Sequence, residues 1–299
     1  MLSWSHRKQL GTTLLLALVM ALVPAAAHAG AANAPAPAAP TSVAAQGGAW
    51  NDDRCIPSDD HPRPVVLVHG TLGNKTSNWL GLAPYLANRG YCVFSLDYGK
   101  LPLVPVFHGL GPIEDSAGEL AEFVDRVLDT TGADEVDLVG HSQGGMMPRY
   151  YLKHHDDAAG KVNALVALAP STNGTTLLGL TRLLDLFPGA RDLLDGLTPA
   201  LEQQVAGSDF ITELNRDGYT VPGVDYTVIA TRYDQVVTPF RTQLIEEPGV
   251  NNVLLQDLCP VDVSEHLAIA LTDRVAWHEV TNALDPANAK PTTCWSVFD

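Results

Sequence analysis

The sequence predicts an α/β domain in which a mostly parallel sheet is flanked by helices, and three observations predict it. Short apolar, β-branched runs alternate with stretches of helical period. A Gly-His-Ser-Gln-Gly motif stands where one such run gives way to one such stretch. Beyond residue 49 there remain about 250 residues, enough to bury one large core without a second domain.

The strands are predicted at Val65 to His69, Cys92 to Asp97, Glu135 to Gly140, Asn163 to Ala169, Tyr226 to Thr231 and Asn252 to Gln256, each a short run bounded by turn residues. Between the second and third, Ala117, Leu120, Ala121, Val124 and Leu128 recur at helical spacing, and Gly132 is placed to cap that helix. Residues 171–215 break the alternation, with several helical segments and no strand between them, and are expected to form a helical cap inserted over the sheet. Within it, Leu177 to Phe187 puts Thr181, Arg182 and Asp185 on one face and fills the rest with leucines. Such a face suits a lid over a binding site; the alternative is a helix packed permanently on the core.

The first residues have the three zones of a secretory signal: Arg7 and Lys8, an apolar run from Leu10 to Val23, and the small-residue triplet Ala27-His28-Ala29, with cleavage expected after Ala29. The rival reading, an uncleaved anchor, is disfavoured because a run of about 14 residues is short of the roughly 20 that span a bilayer. Residues 30–49 hold little but Ala, Pro, Gly, Ser and Thr and are expected to be a disordered linker. Loss of Arg7 and Lys8 takes Lys+Arg from 18 to 16 against 34 Asp+Glu, a net charge of about −18. That balance argues against nucleic acid as a partner and means that any contact with a lipid phase is apolar rather than electrostatic. The mature chain is expected to be a secreted monomer without a transmembrane segment.

Export places Cys55, Cys92, Cys259 and Cys294 in an oxidising compartment, so two disulfides are expected. Cys55 lies just before one predicted strand and Cys92 within the next, while Cys259 and Cys294 share the C-terminal segment, which favours the pairs Cys55–Cys92 and Cys259–Cys294. A zinc site on the cysteines is disfavoured, because no CxxC or HxxxH spacing is present.

Gly140-His141-Ser142-Gln143-Gly144 matches G-x-S-x-G with a strand leading in and a helix leading out. Glycines two positions to either side let a serine sit on a strained strand-to-helix turn. A serine hydroxyl is a weak nucleophile and needs a histidine base oriented by a carboxylate. His154 and His155 lie too close along the departing helix to return over Ser142. His266 follows the last predicted strand after a loop and is the favoured base, with His278, on a helical pattern, as the alternative. Asp234, just past the strand ending at Thr231, lies where catalytic groups of open α/β sheets collect; Asp257 and Asp262 are rivals on the His266 segment itself. Backbone amides of Gln143 and Thr71 are the expected oxyanion hole, with the Thr71 hydroxyl as a further donor.

On His69-Gly70, Gly140-His141-Ser142-Gln143-Gly144-Gly145, the Asp234 loop and His266, the chain resembles the secreted bacterial triacylglycerol lipases and esterases of the α/β-hydrolase superfamily, from about Pro64 to Arg274. The resemblance implies an α/β-hydrolase fold, ester hydrolysis at a lipid or other ester substrate with no metal or organic cofactor, the triad Ser142, Asp234 and His266, and the oxyanion hole at Thr71 and Gln143. Pro148 departs from a straight helix after the nucleophile and is expected to remove a hydrogen bond and kink it. An acyltransferase or polyester hydrolase on the same machinery, and a non-catalytic binding module, are the competing functions.

Overall fold

The computed structural model describes residues 50–102, 104–190 and 198–298. The signal segment 1–29 and the linker 30–49 lie outside the described residues, as do residues 191–197 of the insertion. The chain divides into two units, residues 1–43 and 44–299, and every described residue belongs to the second.

Six strands form one sheet in the order β2-β1-β3-β4-β5-β6, all neighbours parallel. They are β1 Val65–Val68, β2 Val93–Ser95, β3 Val136–His141, β4 Val162–Leu168, β5 Asp225–Ala230 and β6 Val250–Leu254. The sequence Val65-Val66-Leu67-Val68 shows why β1 is central: with helices on both faces, both sets of alternating side chains must be apolar. Val66 and Val68 face one core with Leu138 and Leu165, while Val65 and Leu67 face the other with Val139 and Val166.

Two helices cover the first face. Helix α2, Ile113–Thr131, buries Ile113, Ala117, Leu120, Val124 and Val127. Glu114 and Asp115 in its first turn complement the helix dipole, and Gly132, at φ 70°, ends it by giving its N–H to Leu128. Helix α3, Gln143–His154, runs unbroken through Pro148. The carbonyl that Pro148 has no N–H to serve is that of Gly144, and this oxygen lies where a Cβ on residue 140 would be, 1.8 Å away. The second face is covered by α1, Leu82–Ala87, and by a C-terminal helix, Arg274–Leu284, which packs Trp277 beside Tyr85. Between β6 and that helix, residues Leu255–Leu258 and Ala268–Leu271 form short helical turns, so Leu255 and Gln256 belong to a turn rather than to the last strand.

Between β4 and β5 the chain inserts helices, with α4 Leu177–Leu186, α5 Pro199–Gln203 and α6 Asp209–Asn215 among the described residues. Leu180 and Leu183 of α4 join Leu72, Leu110, Leu201, Val236 and Val237 in a third apolar cluster. Thr176 caps α4 by accepting the Gly179 N–H, and Gly179 approaches so close that a Cβ there would stand 2.0 Å from the Val236 carbonyl oxygen. Buried Arg149 on α3 donates to the carbonyls of Tyr219 and Thr172 and to Asn215 Oδ1, tying the insertion to the sheet-covering layer. Cys55 is bonded to Cys92 and Cys259 to Cys294, across 37 and 35 residues of sequence. No helix among the described residues is long and apolar enough to cross a membrane.

Candidate active site

Ser142 sits between β3 and α3 at φ 57°, ψ −121°, a conformation that non-glycine residues adopt only where surrounding structure enforces it. Two close approaches enforce it here. The first is Gly140 against the Gly144 carbonyl, and the second is Gly144 itself, where a Cβ would lie 2.0 Å from the Val68 carbonyl oxygen. A side chain at 144 would push the turn off β1, and one at 140 would break the turn itself against the start of α3.

Ser142 Oγ lies 3.0 Å from His266 Nε2, and His266 Nδ1 lies 2.7 Å from Asp234 Oδ2. Both side chains of the His-Asp pair are fully buried. Asp234 follows β5, and its carboxylate is saturated with donors: Oδ1 accepts the backbone N–H groups of Val236 and Val237, both at 2.7 Å, and Oδ2 also accepts Gln243 Nε2 at 3.0 Å. A carboxylate so held is a fixed acceptor, which obliges His266 to present its Nδ1–H to Asp234 and its Nε2 lone pair to the serine.

The rivals lie elsewhere. Asp257 pairs with Arg232 at the surface, and Asp262 Oδ1 accepts the Ser264 N–H. His278 is buried on the C-terminal helix with Nδ1 2.6 Å from Thr292 Oγ1. His154 packs against Tyr150 and lines a groove of about 680 Å³ that shares no residue with the triad.

The segment after β1 returns to the serine. A Cβ on Gly70 would stand 3.0 Å from Ser142 Cβ, so the His69-Gly70-Thr71 backbone runs directly beside the hydroxyl. Thr71 Oγ1 accepts Gln143 Nε2 at 3.2 Å and Gln204 Nε2 at 2.9 Å. Gln204 is itself held by Ser171, whose hydroxyl donates to its Oε1. Both lone pairs of the threonine hydroxyl are thereby used, which leaves that oxygen only its proton to offer.

Several supporting residues carry no sequence signal of their own. His141 gives its Nε2–H to the His266 carbonyl at 2.8 Å; burial, reinforced by the neighbouring His266, pushes its pKa down to about 3, so this bond persists with a neutral ring. Gln243 and Gln204 reach the site from distant segments, and nothing in their local sequence marks them. Tyr98 donates its hydroxyl to the His69 carbonyl at 2.5 Å, fixing the start of the Thr71 loop.

Comparison with known proteins agrees with this geometry. Residues 63–194 match a sequence model of the alpha/beta hydrolase fold. The chain is 35% identical over 92 residues to a triacylglycerol lipase of Pseudarthrobacter phenanthrenivorans, covering 29% of this chain and 27% of that protein. It is 25% identical over 227 residues to lipase B of Pseudozyma antarctica, covering 72% of this chain and 59% of that protein. Both matches therefore span only part of the relative's length. The crystal structure of Aspergillus fumigatus lipase B superposes with a TM-score of 0.59 at 22% identity, covering 79% of this chain and 56% of that one. The chain has an α/β-hydrolase fold related to those of bacterial and fungal lipases and esterases, and it carries a serine-hydrolase-type arrangement of Ser142, His266 and Asp234.

Proposed function

We propose that the protein is a secreted lipase or carboxylesterase that hydrolyses acylglycerols or other carboxylic esters through an acyl-enzyme on Ser142. The observation that carries this reading is the unbroken hydrogen-bond chain from Asp234 through His266 to Ser142. In the first step Ser142 Oγ attacks the ester carbonyl while its proton passes to His266 Nε2, and Asp234 holds the resulting imidazolium. The carbonyl oxygen, now an oxyanion, receives the backbone N–H groups of Thr71 and Gln143 and the Thr71 hydroxyl proton. His266 then protonates the leaving alcohol, and water, giving its own proton to the same nitrogen, releases the acid.

A carboxylic ester as substrate is supported by the apolar surroundings. Leu72 and Val236 to Val237, chain neighbours of Thr71 and Asp234, belong to the cluster capped by Leu180 and Leu183. Val106, Leu177, Leu178, Tyr233, Val261 and Val263 are exposed on segments that leave the carboxyl ends of β2, β4, β5 and β6. These give an acyl chain or a lipid surface apolar area to bury, at about 0.8 kcal/mol per methylene. The relatives named as lipases favour the same substrate class, and the two disulfides favour an oxidising destination, in keeping with cleavage of a leader after Ala29 and a catalytic domain from residue 50.

A fluorophosphonate probe and a chain-length series of nitrophenyl esters test the proposal. Labelling at Ser142 that requires His266, with ester turnover that rises with chain length, is the expected result. Absence of labelling would overturn it, and formation of a new ester in preference to free acid when an alcohol is added would replace hydrolysis with acyl transfer.

A further inference from the structure

One cluster of side chains has no task in the reaction just described. His69 follows β1, Asp97 follows β2, and His108 lies on the segment between β2 and α2. One ring nitrogen from each histidine and one carboxylate oxygen of Asp97 lie within 4.8 Å of one another. His69 is fully buried and His108 is only 8% exposed.

The rings are oriented as ligands would be. His69 Nδ1 is 2.8 Å from the Gly70 carbonyl, which only accepts, so Nδ1 carries a proton. His69 Nε2 has no hydrogen-bond partner among the described residues, and a buried N–H left without an acceptor is costly, so this nitrogen presents its lone pair. His108 turns Nε2 to the Pro105 carbonyl at 3.3 Å, leaving Nδ1 toward Asp97. That Nδ1 is 3.1 Å from Asp97 Oδ1 but lacks the alignment of a hydrogen bond. Each imidazole thus gives one N–H to a backbone carbonyl and keeps its other nitrogen, buried beside the cluster, without a hydrogen-bond partner among the described residues, as the outer-shell partners of metal-ligating histidines would leave it.

We propose that His69 Nε2, His108 Nδ1 and a carboxylate oxygen of Asp97 bind one divalent first-row transition-metal ion, with zinc the best match. Two imidazoles and one carboxylate suit zinc, with water as a fourth ligand, whereas calcium and magnesium take oxygen ligands. Ligands about 2.0–2.1 Å from a tetrahedral ion stand about 3.4 Å apart, so a separation of up to 4.8 Å closes by about 1.4 Å on binding. The ion clamps rather than catalyses. His108 is already laced to the segment after β1, with Leu72 N–H donating to the His108 carbonyl at 2.8 Å and His108 N–H to the Gly73 carbonyl at 3.2 Å. A metal bridging His69, Asp97 and His108 therefore pins the loop that carries Thr71 from both sides.

The test uses the full disulfide-bonded chain, stripped with a chelator, dialysed, and titrated with zinc chloride by calorimetry, with metal counted by atomic emission. One zinc per chain is expected, with a Tm that rises on zinc addition; His108→Ala and Asp97→Asn each weaken binding by roughly a hundredfold or more and abolish the rise in Tm. Because a variant can fail to fold, cobalt(II) added to the wild-type chain provides a second reading, in which visible bands of a four- or five-coordinate nitrogen and oxygen site are expected. Less than about a tenth of an equivalent of zinc, no such bands, or binding unchanged in both variants would overturn the proposal, leaving His108 beside Asp97 as an ordinary polar contact.

Discussion

Removing one oxygen atom is the sharpest test at the residue scale. Ser142→Ala deletes the group that the His266 Nε2 lone pair faces, and its small, buried side chain leaves no cavity that matters. Turnover is expected to fall by ~10⁴ to 10⁶ with an unchanged Tm, and Asp234→Asn comparably, since an amide cannot hold the same tautomer of His266. Steady-state kinetics on a soluble nitrophenyl ester check this, and an Asp234→Asn variant keeping more than about a tenth of its activity would move the acid elsewhere. A second expectation concerns pH. In the metal-free chain, burial holds His141 near 3 and His69 near 4, against an ordinary histidine value of 6.5. Below 6.5 the unfolded chain takes up protons at both rings while the folded chain does not. Stability is therefore fully present above 6.5 and is lost as pH falls toward 3 to 4, by about 1.4 kcal/mol per pH unit for each ring. Asp273, raised to about 6 mainly by burial, works in the opposite sense between 3.8 and 6, so the net fall is smaller than two rings imply. Urea unfolding at pH 5 and pH 7 measures it, and His141→Gln, which keeps a donor for the His266 carbonyl, is expected to shrink the difference. The positions of Ser142, Asp234 and His266 were legible because each follows a strand and the chain order is fixed by the fold. His141, Gln204 and Gln243 were not, because each acts through one hydrogen bond across a long stretch of sequence, which no local pattern records.

At the scale of elements, periodicity located all six strands to within about two residues, and the errors have a common source. A run such as Val253-Leu254-Leu255 is apolar in either conformation, and the fold ends β6 at Leu254 to start a helical turn that the run itself does not announce. The reading of α4 also needed the structure. A leucine-rich helix in an insertion suggested one broad apolar face, yet Leu180 and Leu183 are packed away while Leu177 and Leu178 stand 60% and 66% exposed. Leu183 is thus a poor probe of substrate contact, because a charge there would be buried and would unfold the element. Leu177 and Leu178 are the informative pair. Replacing both with Ser is expected to leave Tm unchanged and activity on a soluble acetate ester within about twofold of wild type, since little buried area is lost. Activity on emulsified glycerides is expected to drop several-fold. Equal activity on both substrates would show that α4 has no part in meeting a lipid surface.

At the scale of the whole molecule, the two disulfides sit at opposite edges of the sheet, and this makes them separable. Cys55–Cys92 ties the segment before β1 to the start of β2, the first strand in the sheet order, while Cys259–Cys294 joins the turn after β6, the last, to the C-terminal residues. Their loops are nearly equal, at separations of 37 and 35 residues, so the chain-entropy model assigns each about 4 kcal/mol. Loss of either is then expected to lower Tm by roughly 8–15 °C in a domain of this size. Their effects on turnover are expected to differ. Cys259 stands seven positions before His266, on the loop that must return the imidazole to Ser142, and the Cys259 N–H bond to Leu255 and the Thr231 hydroxyl bond to the Ser264 carbonyl hold the two ends of that loop. Freeing Cys259 loosens the base while the Ser142 turn, walled in by Gly140 and Gly144, stays put. Cys259→Ser with Cys294→Ser is therefore expected to reduce kcat well below the melting range, whereas Cys55→Ser with Cys92→Ser is expected to keep near-normal kcat at 20 °C and fail only on heating. Kinetics at low temperature beside melting curves for the two double variants separate these outcomes, and equal kcat in both would mean that the His266 loop is held by its hydrogen bonds alone.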